Sequence, residues 1–150
     1  MGMGSITMKD KFIKTYMDVA ESFAKLSSAV RLQVGAIVVK DDRIISIGYN
    51  GMPSGWDNCC EDIVQHHELG TATAITKVEV LHAETNAIAK LAKSSESGLG
   101  AAMFVTHAPC IDCAKLVYQS GIDTVYYKNE YRSTQGLEFL TKSNVNLVKI

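Results

Sequence analysis

Apolar residues recur at Phe12, Tyr16, Val19, Ala20, Phe23 and Leu26, the spacing that lines one face of a helix, and predict a helix from Lys9 to about Ala29. The next pattern differs. Val34 to Val39 is a short continuous apolar run, Asp41-Asp42 supplies turn chemistry, and Arg43 to Tyr49 is a second β-rich run. Together they predict a hairpin whose strands lie in a buried sheet. From Asn50 to about Leu81 no periodicity is sustained beyond a short strand at Thr76 to Leu81. Long irregular segments in small domains are usually functional.

Helical spacing returns from His82 to Lys93, through Ala83, Ala87, Ile88, Leu91 and Ala92. A Ser/Gly loop at Ser94 to Gly100 leads into a strand at Ala101 to Thr106. Cys110 to Gln119 predicts a helix, with Gly121 close beyond its end where a left-handed cap favours glycine. Thr124 to Tyr127 is a fourth strand, Thr134 to Lys142 a helix with Ser133 as N-cap, and Val145 to Ile150 a fifth strand. A helical crossover makes the last two strands parallel. The expected architecture is a three-layer α/β/α domain over residues 1–150, around a mixed five-stranded sheet.

Composition narrows the function classes. The chain is 47% hydrophobic and 21% charged, with a formal net charge of -1 and no run of Lys and Arg. That balance offers no footprint for nucleic acid, which requires many phosphates to be neutralised together. A small-molecule substrate fits better. No apolar stretch reaches membrane-span length, the start lacks the apolar centre of a signal peptide, and Ile6 stands where a myristoylation motif wants Ser or Thr. A cytoplasmic protein is expected. In that reducing compartment the four cysteines, clustered as Cys59-Cys60 and Cys110-x-x-Cys113, point to metal binding or catalysis.

Two motifs carry the chemistry. His82-Ala83-Glu84 opens one predicted helix and Pro109-Cys110-Ile111-Asp112-Cys113 opens the next. Residues three apart share a helix face, so Cys110 and Cys113 can address one ion, and the positive helix end favours their thiolates. With His82 they give zinc three protein ligands and leave a fourth position open, which is the catalytic pattern. Water there ionises near neutrality, and Glu84 is placed to move its protons. The His-x-Glu and Pro-Cys-x-x-Cys pair is the signature of zinc deaminases.

The surrounding residues add to this. Gln33 to Ala36, Gly48-Tyr49-Asn50-Gly51-Met52-Pro53-Ser54-Gly55, His82 to Ile88 and Pro109 to Lys115 resemble the deoxycytidylate (dCMP) deaminase family over nearly the whole chain. The resemblance implies a cytidine-deaminase-like fold and the conversion of dCMP and water to dUMP and ammonia, a precursor step for dTTP. It implies base contacts from the backbone at Ala83 and near Ala108, and a deoxyribose contact from Asn50, which also reads as a turn residue. Tyr131 matches a family aromatic that covers sugar or base. Arg31, Arg132 and the backbone amides after Asn50 are candidate phosphate donors. The resemblance further implies a homohexamer, with dCTP activation and dTTP inhibition, the effector bound with Mg2+ near Gly48, Tyr49 and Gly51. Lys90 and Lys93 fall on the outward side of the His82 helix, where they read either as partners for effector phosphates or as its solvated face.

Cys59, Cys60, His66 and His67 invite a second, structural zinc, although their spacing is not a strict zinc-finger spacing. Two rival readings keep the first zinc. A tRNA adenosine deaminase needs a basic surface for its substrate; a non-catalytic zinc-binding module has no use for Glu84.

Overall fold

The run Gly35–Lys40 forms strand β1 at the heart of the sheet, and its continuous apolar character has a simple cause: both of its faces are covered. Side chains alternate along a strand. Ala36 and Val38 join one core cluster, and Ile37 and Val39 join the other. The same split runs through β5 (Ala102–His107), where Met103 and Val105 face one way and Phe104 the other.

The computed structural model describes residues 8–150, so the expectations drawn from Met1 to Ile6 lie outside the described residues. Strand β2 (Arg43–Tyr49) and β5 flank β1 antiparallel, and β6 (Thr124–Asn129) and β7 (Asn146–Lys149) continue in parallel, giving the order β2-β1-β5-β6-β7. The last pair is parallel as expected, and β5 with β6 is a second parallel pair. Helix α1 (Asp10–Ala24) covers one face, where Phe104 stacks on Tyr126 with ring centroids 4.4 Å apart. Helices α2 (Ala83–Ala92), α3 (Ile111–Gln119) and α4 (Gln135–Lys142) cover the other, through Ala83, Ala87, Leu91, Ala114, Val117 and Leu140. The three-layer arrangement is therefore present.

Four expectations need correction. Helix α1 stops at Ala24, so its predicted extension to Ala29 is wrong; Leu26 fits the helical spacing but is 59% exposed. Ser27 instead donates its hydroxyl to the Asn50 carbonyl and accepts the Ala29 N–H, which holds this segment as a loop. The stretch after β2 is not irregular throughout: Glu61–His66 (β3) and Thr71–Thr76 (β4) pair as an antiparallel hairpin. Ile63, Val64 and Ile75 are exposed there, so no burial pattern marks it in sequence. The expected strand at Thr76 to Leu81 is absent beyond an isolated bridge between Leu81 and Gly51. Thr134, not Ser133, is the N-cap of α4, while Ser133 Oγ accepts the Gln135 N–H at 3.3 Å.

No helix among the described residues is long and apolar enough to cross a membrane. Strand and helix approach closely at Gly48, where an added Cβ would collide with the Ala83 carbonyl and the Ala87 nitrogen of α2. Gly48→Ala is expected to cost about 2 kcal/mol by overpacking and to lower Tm by about 4–8 °C. An unchanged thermal midpoint would contradict this docking.

Candidate metal centre and active site

His82 and Cys110 are the N-cap residues of α2 and α3, both in extended backbone, so each helix starts where its ligand stands. Backbone pairing fixes the two approaches. Gly51 and Leu81 exchange hydrogen bonds of 3.1 and 2.8 Å, which anchors the chain just before His82. Ala108 donates its N–H to the Asn129 carbonyl at 2.8 Å, and Asn129 Nδ2 donates to the Thr106 carbonyl at 2.7 Å, which ties the chain before Cys110 to the end of β6.

The result is a convergence of three donors. His82 Nδ1 lies 3.2 Å from Cys113 Sγ and 3.6 Å from Cys110 Sγ, and the three ligand atoms are within 4.8 Å of one another. Zinc–sulfur and zinc–nitrogen bonds of roughly 2.3 and 2.0 Å in a tetrahedron put ligand atoms about 3.5–3.8 Å apart, so the cluster fits zinc with a small adjustment. One nitrogen and two sulfurs are also the donor chemistry zinc takes. This is the one such cluster among the described residues.

Electrostatics agree with the geometry. The hydrogen bond from Cys113 pulls the Cys110 thiol down to about 4, against its burial and with help from His82. Cys113 is pushed up by the same shared hydrogen bond and by burial, and His82 is raised by its bond to Cys110. The two sulfurs thus share a proton through that bond, and binding a metal would release it. Glu84, two residues past His82, is 4% exposed, and burial pushes its carboxyl up to about 7.

A cavity of about 610 Å³ opens at this centre, and His82, Glu84 and Cys110 share its wall with Asn50, Ala83, Ala108, Tyr131, Arg31 and Arg132. Asn50 Oδ1 accepts the Val34 N–H at 2.9 Å and Nδ2 donates to the Leu32 carbonyl at 2.7 Å. Those bonds use half of its amide capacity and leave one hydrogen and one lone pair. Arg31 donates to Thr76 Oγ1 at 3.1 Å, and Arg132 lies 5.6 Å from the Tyr131 ring.

Other expected residues stand elsewhere. Gly48, Tyr49, Gly51, Lys90 and Lys93 do not line the cavity; Lys90 Nζ sits 6.0 Å from the Tyr49 ring on the outer side of α2. The second zinc expected from Cys59, Cys60, His66 and His67 has no assembled site among the described residues. The hairpin separates the donors: Cys60 is buried just before β3, His66 ends that strand bonded to Thr73 Oγ1 at 2.7 Å, and His67 is exposed in the turn.

Three cavity residues escape a reading of the sequence. Glu61 is buried, and its Oε2 accepts the N–H groups of Val30 and Arg31 at 2.9 and 3.2 Å, fixing the loop that carries Arg31. Nothing in the polar stretch around it signals that burial. Asn129 and His107 also face the cavity; a histidine three residues before Cys110 was the only visible cue.

Comparison with known proteins places this geometry. The model of the cytidine and deoxycytidylate deaminase zinc-binding region matches residues 10–129. The chain belongs to that zinc-binding deaminase family. Within it, the fold matches the structure of a dCMP deaminase from cyanophage S-TIM5, in complex with dCMP and dUMP, with a TM-score of 0.86 and 46% identity, over 96% of this chain and 100% of that one. Deoxycytidylate deaminase of Enterobacteria phage T4 is 33% identical over 149 residues, covering 78% of this chain and 77% of that protein. ComE operon protein 2 of Bacillus subtilis is 37% identical over 121 residues, 79% of this chain; the chain spans 59% of that protein's length.

Metal analysis tests the centre directly. Purified protein is expected to hold about one zinc per chain, and Cys113→Ala to hold less than about a tenth of that, while Cys59→Ser and Cys60→Ser keep it. Two zinc ions per chain, with one lost on Cys59→Ser, would restore the second site.

Proposed function

We propose that this chain hydrolyses dCMP to dUMP and ammonia. The observation that carries the reading is the single cavity in which Glu84, buried with its carboxyl near neutrality, meets the His82, Cys110 and Cys113 cluster. The 46% identical cyanophage enzyme, solved with dCMP and dUMP, supports the choice of nucleotide.

His82 through Nδ1, and Cys110 and Cys113 through their sulfurs, would hold zinc. When bound, zinc supplies Lewis acidity that lowers the pKa of a coordinated water from about 15.7 to about 7. The protein's own part is proton transfer and orientation. Glu84 takes a proton from the water that attacks C4 and delivers it to N3 of the cytosine, then carries the proton of the new C4 hydroxyl to the 4-amino group, which departs as ammonia while the C4 carbonyl forms. A carboxyl poised near 7 can both accept and give protons at neutral pH. Backbone groups at Ala83 and Ala108 orient the base, and the free amide hydrogen of Asn50 addresses the deoxyribose. Tyr131 covers the nucleoside, and Arg31 and Arg132 supply positive charge for the 5′-phosphate.

The proposal extends to assembly and control. Leu26, Val30, Leu32, Trp56 and Val78 are exposed apolar residues, which suits association of copies into the homohexamer implied by the family resemblance. Lys90 beside Tyr49 supports an effector site for dCTP or Mg2+–dTTP at the Gly48 to Gly51 loop. On this reading the enzyme is a single deaminase domain that serves dTTP precursor supply in the cytoplasm.

Ammonia release from dCMP, dCTP, deoxycytidine and an adenosine-containing tRNA hairpin tests the reading. Turnover is expected with dCMP, and Glu84→Gln should lower kcat by about 10²–10⁴ while retaining zinc. Activity on the hairpin alone, or full activity in Glu84→Gln, would reject it. Added dCTP should raise the dCMP rate and dTTP with Mg2+ should lower it; a flat response to both removes the regulatory part.

A further inference from the structure

His107 ends β5 on the cavity wall, one residue before Ala108, and the proposed proton transfers give it no part. Its neighbour decides its chemistry. Thr106 is 3% exposed; its Oγ1 accepts the Gly35 N–H at 3.2 Å and lies 3.0 Å from His107 Nδ1. A buried hydroxyl proton needs an acceptor, and among the described residues Nδ1 is the one the Thr106 hydroxyl can reach. With Nδ1 as that acceptor, it carries no proton of its own. A neutral imidazole has a single N–H, which must then sit on Nε2.

The ring is held in place as well as in tautomer. His107 pairs in register with Asn129, whose side chain and carbonyl bind the backbone of Thr106 and Ala108 on either side of it. Nε2 has no protein partner among the described residues, and none of their buried side-chain nitrogens or oxygens lacks one, so Nε2 is open to the cavity. Burial also lowers the tendency of the ring to protonate. A fixed, neutral donor thus faces the space that accommodates the nucleotide.

We propose that His107, locked as the Nε2–H tautomer by Thr106, is a binding residue that donates a hydrogen bond to an acceptor oxygen of the bound nucleotide. This rests on the nucleotide reading above. The oxygen belongs either to the 5′-phosphate or to the nucleoside, and the donor chemistry is the same for both. An apolar side chain at this position would leave that oxygen unpaired on binding, whereas a glutamine could accept from Thr106 and still donate.

Two measurements test it. In the zinc-loaded wild type, two-bond 1H–15N correlation of labelled histidine should show His107 with Nδ1 bare and Nε2 protonated at neutral pH, and Thr106→Val should shift it toward a mixture of tautomers. In steady-state assays His107→Leu should raise KM roughly tenfold with kcat changed less than about threefold, and His107→Gln should restore most of the loss. An effect on dCMP and not on deoxycytidine assigns the oxygen to the phosphate, and an effect on both assigns it to the nucleoside; either supports the proposal. An Nδ1–H or doubly protonated ring in the wild type, or a KM unchanged in His107→Leu, overturns it. Should His107→Leu fail to fold, an unshifted ring in Thr106→Val overturns it equally. A wild type that never turns over dCMP removes the functional reading instead, and the spectrum still decides the tautomer.

Discussion

The structure turns on where two helices begin. Were α2 and α3 to start a residue earlier or later, His82 and Cys110 would leave their N-cap positions and the three donors would no longer face one point. What sets those starts is backbone packing: β2 is free of a side chain at Gly48, so α2 lies directly against it, and the end of β6 clamps the chain before Cys110 through Asn129. The core beneath is ordinary. Its role in function is to fix the placement of the two helix ends so that a histidine nitrogen and two sulfurs lie within ligating distance of one point.

The cavity wall beside the cluster combines two kinds of chemistry. Near the cluster, burial and the neighbouring thiolate keep Glu84 close to neutrality. Arg31 and Arg132 on the same wall bring positive charge, and the buried carboxyl of Glu61 is occupied by the backbone of the Arg31 loop. A nucleotide presents a counterpart to each, a base that must gain and lose protons and an anionic phosphate.

How much of this was legible in the sequence depended on whether burial left a pattern. β1 and β5 were visible because both faces are covered, and the two helix starts were visible because the ligands sit in the motifs that open them. The hairpin Glu61 to Thr76 was missed for the opposite reason: its apolar residues face outward, so hydrophobic spacing carries no information there. The same blindness produced the second zinc. Cys59, Cys60, His66 and His67 are close in sequence, but a strand between them carries the histidines away. The roles of Glu61 and Thr106 were not readable, because they come from contacts with residues about thirty and seventy positions away in the chain, and His107 showed only its place three residues before Cys110.

The central claim is that the cluster is an open catalytic centre and not a closed structural one. Zinc K-edge absorption of the purified protein decides between them. The account predicts a shell of two sulfurs, one imidazole nitrogen and one further light atom from solvent. A shell of three or four sulfurs, or of two imidazoles, would mean that another side chain closes the site, and would contradict it.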